Sequence, residues 1–141
     1  MSSKKILVSI VDDEQDIRTL FRDALQGIHG ISIFTFSDPI IALEHFTINK
    51  TAYALIISDL RMPGLCGTEL LQKVKIMKPL VRTILITAFA ADDVLFQKYE
   101  KHEIINAFLE KPIRLDRLRN EVNDQLKEYK LMKQKSLIKI K

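Results

Sequence analysis

Lys5–Glu14 reads KILVSIVDDE, and this stretch decides the fold. Residues 5–11 are an apolar run rich in β-branched side chains, halted by Asp12 and Asp13. A strand with one solvated face alternates apolar and polar residues. An unbroken apolar run of this length instead suits a strand buried on both faces, as in a parallel sheet. Downstream, Ile17, Leu20, Phe21, Ala24, Leu25 and Ile28 recur at helical spacing, and Gly27 and Gly30 stop the pattern.

The same alternation repeats along the chain. ISIFTF (31–36) is a second strand, followed by Asp38 as an N-cap and Pro39 at the first helical position of a helix carrying Ile41, Leu43 and Phe46. YALIIS (53–58) is a third strand ending at Asp59. The loop RMPGLCG leads from it to the helix TELLQKVKIM. RTILIT (82–87) is the fourth strand, and ADDVLFQKYEKH the fourth helix, with Asp92 or Asp93 near its start. IINAFL (104–109) is the fifth strand, and a long helix starts near Leu115. The expectation is an α/β fold: a doubly wound, five-stranded parallel sheet with five helices covering both faces. A ligand crevice then lies at the carboxyl ends of the strands, where the strand order reverses.

Composition removes several classes. With 141 residues, 47% of them hydrophobic and 28% charged, the chain suits one domain, here 4–126. Four glycines and four prolines exclude collagen-like and low-complexity chains. No apolar run approaches the roughly 20 residues of a membrane span, and the N-terminus has no secretory pattern, so a cytoplasmic protein is expected. The single cysteine, Cys66, excludes an intramolecular disulfide framework. Residues 127–141 hold six lysines and one glutamate, whereas the remainder carries 16 basic and 17 acidic side chains. The positive charge therefore belongs to a basic helix extension or linker, and direct nucleic-acid binding by the domain is not expected. His29, His45 and His102 show no metal-ligand spacing.

Polar residues gather at one sheet edge. Asp12 and Asp13 end the first strand, Asp59 the third and Thr87 the fourth, while Lys111 follows the fifth. Carboxylates brought together repel one another and resist desolvation. A hard divalent cation such as Mg²⁺ offsets them best. With an added ammonium and hydroxyl, the set suits a transferring phosphoryl group, and an aspartate can itself be the nucleophile.

Four segments, VDDE (11–14), SDLRMPGLCG (58–67), TAFA (87–90) and FLEKPI (108–113), occur in the order and spacing that resemble the receiver domain of two-component response regulators, the chemotaxis-regulator-like family. The resemblance implies the flavodoxin-like (βα)5 receiver fold. It implies Asp59 as phosphoacceptor from a sensor histidine kinase or phosphotransfer protein, without turnover of a separate substrate. It implies Asp13 as the direct Mg²⁺ ligand, Asp12 acting through a metal-bound water, and Asp59 and the backbone carbonyl of Arg61 completing the set; Mn²⁺ can substitute.

The same resemblance makes Lys111 the partner of a phosphoryl oxygen, ahead of a cis bond to Pro112. Thr87 is then the switch hydroxyl, Phe108 the switching aromatic and Ala88 the small residue that leaves room for the phosphoryl group. Arg61 and Phe89 occupy the positions that tune acyl-phosphate lifetime. The output face is the fourth helix, fifth strand and fifth helix, for a downstream protein partner or a homodimer.

The chain departs from the family at KHEIINAF (101–108), where a Gly-Ala pair is usual. Leu115, Leu118, Val122, Gln125, Tyr129 and Met132 also continue a 3-4 stripe beyond the usual domain end, compatible with a dimer seam or a terminal helix. Two other readings compete. One is the receiver part of a longer DNA-binding transcriptional regulator. The other is a haloacid-dehalogenase-type aspartyl-phosphate phosphatase, which wants Asp-x-Asp after its first strand where this chain has adjacent aspartates. No glycine-rich nucleotide-binding motif is present.

Overall fold

The computed structural model describes residues 5–88 and 94–140. Strands β1 (Ile6–Val11), β2 (Ile31–Phe36), β3 (Tyr53–Asp59), β4 (Arg82–Thr87) and β5 (Ala107–Glu110) alternate with helices α1 (Gln15–Leu25), α2 (Pro39–Asn49), α3 (Gly67–Met77), α4 (Val94–Lys101) and α5 (Leu115–Ile140). All pairings are parallel, in the order β2-β1-β3-β4-β5. The order reverses between β1 and β3, which places the ends of those two strands on either side of a crevice.

Continuous apolar strands serve two cores because successive side chains alternate faces. Val8, Ile10, Ile57, Ile84 and Ile86 pack beneath α1 and α5 with Phe21, Leu25, Leu118 and Val122. Val11, Ile56 and Leu85 pack on the opposite face with Phe46, Leu70, Leu71 and Val74 of α2 and α3. Each fully buried Leu or Ile contributes about 1.5–3 kcal/mol. Asp38 caps α2 by accepting a 2.9 Å hydrogen bond from the Ile40 amide.

Three sequence expectations change. The fifth strand begins at Ala107, not residue 104, because Ile104 and Ile105 are spent ending α4: both amides donate to the Tyr99 carbonyl. Together with Glu103 N donating to Glu100 O, this is a Schellman turn, and Glu103 holds the left-handed position at φ 59°. Ile41 faces solvent; the inner face of α2 is Pro39, Ala42 and Phe46. Leu20 is likewise exposed, so the buried stripe of α1 is narrower than its spacing implies.

The 3-4 stripe of α5 is not a dimer seam. Leu118, Val122, Gln125 and Tyr129 are buried within their own chain, and Gln125 accepts a 2.7 Å hydrogen bond from Arg82 Nε. The Lys78 ammonium stitches the same region by donating to the carbonyls of Lys50, Thr51 and Tyr53 and to the Tyr129 hydroxyl, at 2.6–3.2 Å. Asp92 and Asp93, the expected start of the fourth helix, lie outside the described residues.

Candidate functional site

The polar residues at the carboxyl ends of β1, β3 and β4, Asp12 just after β1, project at one rim because each apolar run ends there. Asp12 closes β1 and is 1% exposed. One of its oxygens accepts from the Glu14 amide at 2.9 Å, and its backbone carbonyl accepts from Arg18 Nη1 at 2.7 Å. Its other oxygen, Oδ2, is buried with no hydrogen-bond partner among the described residues. Burial pushes the Asp12 carboxyl up to about 6; the Glu14 amide and Lys111 oppose the rise, and the charges of Asp59 and Glu14 add to it.

Asp59 closes β3 and is buried. Its Oδ1 accepts from the Leu60 amide at 3.0 Å and meets Lys111 Nζ at 3.2 Å. Burial works against the Lys111 charge, but Asp59, with Asp12 and Glu14 behind it, raises the ammonium's pKa overall. Lys111 is held on its own side by its amide, which donates to the Thr87 carbonyl at 2.8 Å, and the bond to Pro112 is cis.

The loop after β3 is tied down at both ends. Leu60 N donates to Ile86 O at 2.9 Å, Gly67 N donates to Leu60 O at 2.8 Å, and Met62 and Leu65 tuck into the core. Gly67 starts α3 where a Cβ would overlap the Asp59 carbonyl oxygen and stand 2.8 Å from Leu85 Cδ1. Glycine is required there by close approach. The Cys66 thiol sits beside Thr68 and Glu69, each at 3.1 Å.

A cleft of about 300 Å³ is lined by Asp13, Glu14, Asp59, Leu60, Arg61, Ala88 and Lys111. Carboxylate oxygens of Asp12, Asp13 and Glu14 lie within 4.8 Å of one another, and Asp59 faces them without belonging to that trio. Three acidic groups, one with a buried orphaned oxygen, are a hard-oxygen donor set that fits a divalent cation such as Mg²⁺. Glu14 is the residue that sequence reasoning did not single out; its only signal was its place beside the aspartate pair.

Thr87 ends β4 and is buried, but it lines an adjoining cavity of about 540 Å³ with Phe108, Pro112, Arg114 and Arg117. Phe108 is half-buried against the core and faces that second space. The rim thus holds two compartments, one acidic and one beside the hydroxyl and the aromatic. Phe89 lies outside the described residues. His45, which has no metal-ligand spacing in the sequence, packs at a tilt against the rings of Phe34 and Phe36 and lies 2.7 Å from the Tyr53 hydroxyl.

Residues 8–123 match the family model of the response regulator receiver domain. The chain is 30% identical to sporulation initiation phosphotransferase F of Bacillus subtilis over 129 residues, which cover 92% of this chain and 95% of that protein. It is 34% identical over 110 residues to the DNA-binding transcriptional regulator NtrC of Escherichia coli, covering 78% of this chain but 22% of NtrC. Among solved structures, a response regulator receiver domain protein of Clostridium thermocellum superposes with a TM-score of 0.78 at 26% identity, over 90% of this chain and 98% of that one.

Proposed function

Because this chain belongs to the response regulator receiver family, we propose that it is a phosphoacceptor of a two-component system, with Asp59 taking the phosphoryl group from a phosphohistidine on a sensor kinase or phosphotransfer protein. The observation that carries this reading is the Asp59–Lys111 contact, 3.2 Å long, facing the acidic trio across one small cleft. A carboxylate held by an ammonium and a backbone amide is oriented for in-line attack, and the same ammonium neutralises a phosphoryl oxygen as charge grows.

Asp12, Asp13 and Glu14 are the groups that would hold Mg²⁺, with Asp59 facing them and, as the family resemblance implies, the backbone carbonyl of Arg61 completing the set. When bound, the cation supplies charge neutralisation and a template for the phosphoryl oxygens. Attack by Asp59 forms the new O–P bond, and the histidine nitrogen leaves with its electron pair.

The added charge and acceptors then draw the Thr87 hydroxyl toward the phosphoryl group. The two compartments support coupling: movement at Thr87 changes the cavity that Phe108 also lines. The surface formed by α4, β5 and α5 is the proposed output for a downstream protein or a second copy. Arg61 and Phe89 are proposed to limit water access to the acyl phosphate. The proposed location is the cytoplasm; among the described residues no helix is long and apolar enough to cross a membrane.

The likeness to NtrC supports a second reading, the receiver of a longer DNA-binding regulator, and the length of the encoding gene separates the two. Intact-protein mass spectrometry with acetyl phosphate tests the main one. One phosphoryl addition that needs Mg²⁺ and is lost in Asp59→Asn is the expected result. Multiple turnover of a phosphate ester, or normal labelling of Asp59→Asn at the same site, would overturn it.

A further inference from the structure

The free side of β2 is an unfilled hydrogen-bonding edge with different chemistry on its two flanks. The Gly30 and Phe36 carbonyls face β1, accepting from Ile6 N and Asp12 N at 3.1 Å. By the alternation of a parallel ladder, the amides and carbonyls of Ile31, Ile33 and Thr35 face outward, and among the described residues β2 has no strand beyond it. No lysine, proline or bulge blunts this edge, the usual devices against strand addition.

On the α1 flank a groove of about 310 Å³ runs along Ile31, Ser32 and Ile33 and is walled by Lys5, Arg22 and Gln26. Arg22 Nε is buried there without a hydrogen-bond partner among the described residues. On the α2 flank Phe34 is partly exposed and packs at a tilt against the His45 ring, centroids 4.5 Å apart. Ile41 and Ile48 lie one turn to either side of His45, at 52% and 82% exposure. One flank is cationic with an orphaned donor; the other is apolar.

We infer that β2 is a docking edge for an extended segment of a partner protein that adds as a sixth strand, with carboxylates on its α1-facing side and apolar residues on its α2-facing side. Period-two alternation is what lets one strand present both chemistries. The backbone of Ile31, Ile33 and Thr35 provides the pairing. Arg22 and Lys5 select acidic side chains, and Phe34, Ile41 and Ile48 cover apolar ones. The inference is independent of the phosphoacceptor reading, because none of these residues lines the Asp59 cleft.

The test titrates the ¹⁵N-labelled full chain with an acetylated heptapeptide alternating valine and glutamate, followed by amide and arginine Nε–H resonances and by hydrogen exchange. The expected result is protection of the Ile31, Ile33 and Thr35 amides, a shift of the Arg22 Nε–H signal, and at least tenfold weaker binding by Arg22→Gln. Thr35→Pro, which removes one outward amide and no β1–β2 bond, should weaken binding similarly. Equal affinity for the peptide with lysine in place of glutamate would overturn the inference. So would shifts confined to the Asp59 cleft. Concentration-dependent protection of the three amides without peptide would also overturn it, since a second copy would then occupy the edge.

Discussion

The backbone of Gly67 passes so close to Asp59 that a single added methyl would overlap the Asp59 carbonyl oxygen. The neighbour on that side is backbone, at the end of a buried strand, and cannot swing aside as a side chain could. The start of α3 and the candidate phosphoacceptor are therefore positioned as one unit.

Gly67→Ala is the direct probe. The overlap should cost about 1–3 kcal/mol, as overpacking in a filled interior does. Urea unfolding checks the loss, and acetyl phosphate labelling of the folded variant should slow because Asp59 must shift. Unchanged stability and labelling would show that the loop relaxes freely.

Asp12→Asn should stabilise the metal-free protein. The isosteric amide keeps an acceptor for the Glu14 amide and removes a buried charge that has an orphaned oxygen. A shift from 3.8 to about 6 corresponds to a gain of order 1–3 kcal/mol at neutral pH. The sign follows from proton counts: between pH 4 and 6 the folded carboxyl keeps its proton while the unfolded one has lost it. Wild-type stability should thus fall relative to the variant as pH rises through that window. The two should converge below about pH 4. Added Mg²⁺ should stabilise wild type more than the variant. Urea melts across pH, with and without Mg²⁺, supply every comparison.

Glu103→Gly should stabilise the chain by about 1 kcal/mol. Glu103 occupies the left-handed position that closes α4, where a side chain is unfavourable and glycine is at ease. Thermal melts would detect the gain. Phosphoryl labelling should not change, because the turn lies at the opposite rim from Asp59.

Lys78→Met should cost about 1–3 kcal/mol, since it strands three carbonyls and the Tyr129 hydroxyl that share one ammonium. Tyr129→Phe alone should cost about 1 kcal/mol. Because the two groups are partners, the double variant should lose less than the single losses added together. Additive losses would show that the contact contributes little.

What the sequence revealed and what it hid follow one physical division. Buried parallel strands appear as largely apolar runs because both faces are covered, and edge strand β2 shows through its Ile and Phe content, so β1 to β4 were legible within one residue at each end. Asp12, Asp13, Asp59, Thr87 and Lys111 were legible as a group because each follows such a run. Ile104 and Ile105 misled because an apolar pair at a helix-ending turn has the composition of a strand. Ile41 misled because α2 is apolar nearly all round, and only packing selects Ala42 and Phe46 as its inner face. Gln125 is the one polar residue of the α5 stripe; its partner Arg82 is 43 residues away and invisible to periodicity. The orphaned oxygen of Asp12 and the open edge of β2 depend on tertiary surroundings, which no local pattern encodes.

α5 is fastened to the amino ends of β3 and β4 by Lys78, Tyr129, Arg82 and Gln125, at the rim farthest from Asp59. It runs 26 residues, about 39 Å at 1.5 Å per residue. That makes its carboxyl end a fixed mast, well away from the residues proposed to switch. A spin label on exposed Gln134 would therefore serve as a stationary origin, from which distances to a second label on exposed Glu110, paired beside Thr87, would read the amplitude of the proposed switching.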